Sequence, residues 1–324
     1  MPAPARLDER RRARQYEGRS ESLVDKFPSR ERTISVAPEP RVSAIVVARN
    51  LERLGGQSPL ELCLRSVLAE PIIDDVVIVD QKNAPDVSVA LRALQADRRD
   101  VKVVTAPANA TYAAAANIGA IEARGRWLLF LDPNVVLQRG AVARMAAAGD
   151  EAQKPCIVGG RLTDLEGRER RAARAGALNA FSAIAVAMDL PPPKPKPPQR
   201  RPSAEGGKPS PVAAVSGAFM AVPRRDFLAL NGFDEEFKTD AADLDLCRRA
   251  AAAGGAVLFH PAASGVQFAK PMQRGRKQAQ GLARFVARSA RTTPEKMFAA
   301  VAEPTLAVLL ALKDLVAGRP PIRR

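Results

Sequence analysis

The chain has 324 residues, 46% of them apolar but only 4% aromatic, and a formal net charge of +15. This length suits one large α/β domain with tails or two small domains, with a core built on Ala, Val and Leu rather than on rings. Three scattered cysteines, Cys63, Cys156 and Cys247, exclude a disulfide framework and a cysteine-rich zinc site, and a single histidine, His260, leaves almost no room for a Ser-His-Asp or Cys-His nucleophile.

Residues 1–40 mix Arg, Glu, Ser and Pro with few apolar positions and read as a disordered arm. The first fourteen lack an apolar h-region, so no secretory leader is expected. Order begins with a β-rich run, Val42-Ser-Ala-Ile-Val-Val-Ala48. Helical spacing follows over Pro59–Ala69. Val76–Val79 is a fully apolar strand ending at Asp80, Val87–Leu94 a helix, Val101–Val104 a third strand and Ala113–Ala123 an Ala-rich helix. Trp127–Leu131 is a fourth strand ending at Asp132, and a helix and a strand near Cys156–Gly159 follow Gly140. The Pro-rich segment 189–211 cannot be the interior of a helix or sheet and reads as an insertion. Val212–Val222 resumes as a strand, Asn231-Gly232 is a turn, and Ala241–Ala253 is a helix with Asp240 as its N-cap. Val257–Phe259 is a last short strand, and basic amphipathic helices are expected beyond Gly275.

Continuous apolar strands alternating with helices indicate a mostly parallel sheet covered on both faces. The ligand crevice of such a sheet lies outside the carboxyl ends of its strands, where Asp80 and Asp132 fall. Each aspartate could equally cap the helix that follows it. Asp243 near the start of the 241–253 helix could serve as a base, or simply favour the helix dipole.

The positive charge is localised. Residues 270–324 carry twelve Lys or Arg against three acids, and 189–211 carry five against two. This placement suits an anionic lipid surface or serves solubility alone. Sparse aromatics argue against nucleic acid, which needs stacking platforms. No run of about 18 apolar residues is present to span a bilayer; the longest candidate, Pro304–Leu312, is too short.

Five stretches stand in an order that resembles family 2 glycosyltransferases of GT-A fold, in the branch that includes rhamnosyltransferase-like enzymes. They are Val42–Arg49, Val77-Ile-Val-Asp80, Asn109 through Asn117-Ile-Gly119, Leu129-Phe-Leu-Asp-Pro-Asn134, and Ser216-Gly-Ala-Phe-Met220 through Arg248. The resemblance implies an α/β, GT-A-like domain over 41–270, a mostly parallel sheet flanked by helices; the charge and spacing of 271–324 mark a basic helical extension beyond it. It implies inverting transfer from a nucleotide-diphosphate sugar to a polysaccharide or lipid-linked acceptor. By the same resemblance Asp80, Asn117 and Asp132 meet the donor, Asp132 and Asn134 hold a divalent cation (Mg²⁺ or Mn²⁺), Asp243 is the base, and Asp245 is a second acidic position. The expected location is cytoplasmic and peripheral at the inner face of the membrane.

Several positions depart from the family pattern. Asn134 replaces the second metal-motif carboxylate, Ala242 the Glu before the base, Gln267 a downstream His, and Thr111 a Gly, while Gln81-Lys-Asn follows Asp80. Two readings follow. In one, cation binding is weak or dispensable and Lys270, Arg274, Arg276 or Lys277 meets the diphosphate. In the other, the chain is a non-catalytic relative that binds or scaffolds.

Overall fold

Val42–Arg49 (β1) is buried along all but its last residue, because strands cover it on both edges and helices cover its faces. The chain is described here from a computed structural model over residues 42–51, 58–170, 174–175, 207–238, 241–268, 276–290 and 292–316. The N-terminal arm, most of the Pro-rich insertion, Asp240, and the side chains of Lys270, Arg274, Arg276 and Lys277 lie outside the described parts.

Four strands form the parallel half of the sheet: Val101–Thr105 (β3), Ile73–Gln81 (β2), β1 and Trp127–Leu131 (β4), in that spatial order. Phe219–Pro223 (β10) then runs antiparallel to β4 and to Cys156–Thr163 (β6). Ala256–Gln267 (β11) is parallel to β6, and the short Val135–Leu137 (β5) closes that side antiparallel to β11. Ser210–Pro211 (β8) pairs with β11, while Arg174–Ala175 (β7) and Ala214–Val215 (β9) make a separate two-stranded pair. The carboxyl ends of β1, β2, β4, β6 and β11 therefore share one edge, even though β10 interrupts the parallel order.

The helices start where local chemistry allows. Pro59–Leu68 (α1) has Pro59 in its first turn, and the Ser58 hydroxyl accepts from Glu61 N at 3.3 Å. Pro85–Asp97 (α2) also opens on a proline. Tyr112–Glu122 (α3) is capped by the Thr111 hydroxyl, which accepts from Ala114 N at 3.0 Å. The Ala-rich run of α3 lets it approach the sheet closely; a Cβ on Gly119 would come within 2.6 Å of the Ile45 side chain. Ala141–Asp150 (α4), Arg224–Ala229 (α5), Ala242–Ala252 (α6), Arg276–Ser289 (α7) and Thr293–Val316 (α8) complete the chain.

Three differences from the sequence expectation matter. The apolar run 212–222 is two strands, β9 and β10, broken by a turn at Ser216–Ala218. The last strand is twelve residues long rather than three, with a register break between His260 and Ser264 that accommodates Pro261, which has no N–H to donate. The N-cap of α6 is Ala241, in a left-handed conformation (φ 73°), not Asp240.

The amino-end pole of the sheet is tied by a buried polar cluster. Asp75, 2% exposed, accepts from the Ser43 hydroxyl at 2.5 Å, from Arg124 N at 2.9 Å, and from the Arg124 guanidinium at 2.7 and 3.0 Å. The Ser43 oxygen in turn accepts from Gly125 N at 2.7 Å. This joins β1 and β2 to the α3–β4 connection. Replacing Asp75 with Ala removes the buried acceptor of the Ser43 hydroxyl and of the Arg124 guanidinium, while the Arg124 amide keeps the Ser43 oxygen at 3.1 Å. Chemical denaturation of that variant is expected to show a loss of about 2–3 kcal/mol.

Candidate active site

Asp80 is the penultimate residue of β2 and is buried, opposite Ala48 of β1. Its carboxylate accepts from the Asn83 amide at 2.7 Å, and the same amide donates to Ala48 O at 2.8 Å while its oxygen accepts from Leu51 N at 2.8 Å. One asparagine thus fastens the loops after β1 and β2 around Asp80. Gln81, one of the departures from the family pattern, donates to Pro107 O at 2.9 Å and Ala110 O at 2.8 Å. It fixes the approach to α3.

Asp132 follows β4, two strand spacings from Asp80, about 10 Å across the sheet. Its backbone amide donates to Ala218 O at 2.9 Å. Its Oδ1 accepts from both the backbone and side-chain nitrogens of Asn134, at 2.9 and 2.7 Å. Asn134 therefore presents an N–H to Asp132. Gln267 stands beside this pair: it is in register with Val135, and the next residue donates from Phe268 N to Asn134 O at 2.9 Å.

Asp243 sits in the first turn of α6. Its Oδ2 accepts from Gly217 N at 2.8 Å and its Oδ1 from Leu244 N at 2.9 Å. Gly217 and Ala218 are neighbours in the turn between β9 and β10, so Asp132 and Asp243 are anchored to successive residues of that turn. A Cβ on Gly217 would lie 3.2 Å from the Asp243 side chain, so a larger residue there would press on the carboxylate it anchors. Burial raises the Asp243 carboxyl above the usual aspartate value of 3.8, and the two backbone N–H bonds oppose the rise without cancelling it. Asp80, Asp132 and Asp243 thus stand along one edge of the sheet.

The other acids and amides of the signature have different surroundings. Asp245 is fully buried and ion-paired with Arg248 at 2.8 Å and Arg249 at 2.6 Å. Arg249 also donates to Leu230 O and, at 2.8 Å, to Gly232 O, so the pair latches the Asn231-Gly232 turn to α6. Asn117 of α3 is 2% exposed; it donates to Phe233 O at 2.8 Å and accepts from Phe233 N at 2.9 Å, with a further bond to Glu235 at 3.0 Å. It clips the loop 233–237 to α3. His260 lies on β11 opposite Gly160, before the carboxyl edge, and burial with nearby Arg144 holds it below its ordinary value. All three cysteines are free and buried.

Two further groups escaped the sequence reading. Tyr112, at the first position of α3, packs its ring against Phe233 with centroids 6.4 Å apart. Burial pushes its phenol up, and the fields of both Asp132 and Asp243 add to the rise, which marks it as a neighbour of both. Its only sequence signal was a place inside the Asn109–Asn117 stretch. Arg284 and Arg288 of α7 lie over the Phe237 ring at 5.9 and 5.5 Å and pair with Glu236 and Asp234. The loop before α6 is thereby held from both sides.

Among the described residues no three His, Cys, Asp or Glu side chains gather as a metal cage. The side-chain oxygens that the structure brings together at the Asp132 position are one carboxylate and the Asn134 carboxamide. That set fits a cation that takes most of its oxygens from a diphosphate and water, and does not fit one held by protein alone.

A sequence model described as glycosyl transferase family 2 matches residues 43–220, which include Asp80, Asp132 and the 216–218 turn. The chain belongs to glycosyl transferase family 2. No curated protein matches it in sequence. Its fold is that of GT-A glycosyltransferases. A crystal structure of GalNAc-T7 with UDP, GalNAc and Mn²⁺ aligns over 87% of this chain with a TM-score of 0.56 and 16% identity. The chain spans 58% of that protein's length. S. aureus TarS 1–349 in complex with UDP-GlcNAc aligns over 85% of this chain and 73% of its own, with a TM-score of 0.51 and 11% identity.

The clip at Asn117 makes a distinguishing prediction for this family member. Asn117→Ala leaves both polar groups of Phe233 without partners, so thermal or chemical unfolding should show a loss of about 2–3 kcal/mol. A donor contact alone would weaken nucleotide binding at unchanged stability.

Proposed function

We propose that this family 2 glycosyltransferase moves a hexosyl or deoxyhexosyl group from a nucleotide-diphosphate sugar to a hydroxyl of a polysaccharide or lipid-linked acceptor, with inversion. The observation that carries this reading is the seating of Asp132 and Asp243 on adjacent residues, Ala218 and Gly217, of one turn. Asp243 takes the proton from the acceptor hydroxyl. The oxygen attacks the anomeric carbon from the face opposite the diphosphate, forming one C–O bond as the bond to the phosphate oxygen breaks. Asp80 faces the nucleoside and Asp132 the diphosphate, while Asn117 ties the acceptor-side 233–237 loop to α3 on the donor side. Asp132 and Asn134 would hold the divalent cation, which supplies charge neutralisation for the departing diphosphate when bound. The Asn109–Asn117-Ile-Gly119 and Ser216–Met220 stretches favour the rhamnosyltransferase-like branch.

A second reading rests on one observation: Asn134 and Ala242 stand where carboxylates are expected, and among the described residues Asp132 joins no group of three His, Cys, Asp or Glu side chains. In that reading the chain binds a nucleotide sugar without turning it over, and acts as a scaffold. Calorimetric titration with nucleotide-diphosphate sugars beside a transfer assay separates the two.

Asp243→Asn keeps an oxygen acceptor for Gly217 N but cannot take a proton. Transfer is expected to fall by about 10²–10⁴-fold. The raised carboxyl also fixes the sign of its stability effect. Folding favours the protonated form, so the contribution of Asp243 is full below 3.8 and is lost as pH rises through the raised folded value. The variant has one oxygen for two N–H donors, Gly217 N and Leu244 N, so it loses one of these bonds at every pH; on top of that constant loss, its melting temperature relative to the wild type should rise as pH goes from acid to neutral. The acidic limb of kcat/KM in the wild type should lie above 3.8 for the same reason. Asn134→Asp adds a second carboxylate and should lower the Mn²⁺ concentration giving half-maximal rate by about tenfold. A chelator that leaves wild-type transfer intact would remove the cation from this reading.

A further inference from the structure

Helix α8 is apolar on two sides. Ala302, Leu306 and Leu310 are buried against α7, where Ala279, Leu282, Phe285 and Val286 receive them. On the far side Met297, Val301, Val308 and Leu312 are 71, 51, 58 and 52% exposed. At about 100° per residue these four fall within roughly 60° of arc. Between Met297 and Leu312 the sequence holds one charged residue, Glu303, and it turns away from this arc. Solvent-facing helix surface is ordinarily polar, so a continuous apolar outer stripe marks a docking face.

We propose that the outer face of α8 docks on an anionic lipid surface. The choice of partner follows from charge. Residues 270–324 carry twelve Lys or Arg against three acids, and within 291–324 Arg291 and Lys296 precede the stripe while Lys313, Arg319, Arg323 and Arg324 follow it. Anionic headgroups attract that pattern, whereas a second copy would bring an equally basic extension alongside. Among the described residues no helix is long and apolar enough to cross a membrane. A helix of this kind lies in the interface plane with its apolar side in the acyl boundary. Because α7 braces the 233–237 loop through Arg284 and Arg288 and packs against α8, docking couples the bilayer to the element that holds the acceptor-side loop. That consequence rests on the transfer reading; the binding itself does not.

The test uses the full chain and vesicles of phosphatidylcholine with or without phosphatidylglycerol. The wild type should float with the anionic vesicles, and added salt should weaken the binding without abolishing it. Val301→Asp combined with Val308→Asp should reduce the bound fraction by about tenfold or more, with an unchanged circular-dichroism melt. A second variant, Val308→Trp, gives a readout independent of loss: its fluorescence should shift to the blue on anionic vesicles. A wild type that stays below the vesicles, a double variant that floats equally well, or a Trp emission that does not move overturns the proposal. So does sedimentation showing a lipid-free dimer that the double Asp variant converts to monomer, which would assign the face to a second copy. Since none of these readouts requires turnover, an inactive protein that floats leaves the proposal standing while removing the transfer reading.

Discussion

The turn at Ser216–Ala218 is the constraint on which the site depends. It lies where the parallel half of the sheet meets the antiparallel strand β10. There Ala218 O receives the Asp132 amide and Gly217 N reaches the Asp243 carboxylate. Two residues far apart in sequence are thus referred to a common point by backbone groups, which have little freedom once β10 has paired with β4. The positioning is therefore a property of the sheet rather than of long side chains, and that is the kind of support a reacting group needs.

The 233–237 loop shows the same economy. The chain has few aromatic residues, yet Phe130, Phe227 and Phe233 meet with centroids 4.8–5.4 Å apart beneath this loop. Above them, Asn117 clips Phe233, Arg249 holds the Asn231-Gly232 turn, and the α7 arginines cover Phe237. Three elements distant in sequence fix six or so residues. Ionising Asp243 in a half-buried place costs free energy, and such rigid surroundings are what allow the fold to retain it.

Much of the sheet was legible because β1, β2 and β4 are buried on both faces and so read as unbroken apolar runs. Asp80 and Asp132 were legible for the same reason: a charge that ends such a run must lie at its edge. The break at Ser216 was not, because β9, the turn and β10 form one apolar string, and only the pairing of each piece separates them. The length of β11 was hidden by Pro261, which argues against a strand until the register break around it is seen. Asn117 could be placed on a helix but not assigned its partner, since Phe233 is 116 positions away. Asp245 looked like a second site acid; its burial against two arginines depends on how α6 turns relative to the Asn231-Gly232 loop.

The neutral residues at the diphosphate position have a consistent electrostatic meaning. At about 4 Å in an environment of intermediate dielectric, one unit charge acts on another with about 4 kcal/mol. A carboxylate at position 134 would attract a cation on that scale, and would repel a diphosphate that arrived without one. Asn134 weakens both effects at once and steadies Asp132 through two N–H bonds. Such a site recruits a free cation poorly but tolerates a diphosphate whose charge is already balanced in solution. On the transfer reading proposed above, selection at such a site would act on the donor already complexed with its cation rather than on the metal first.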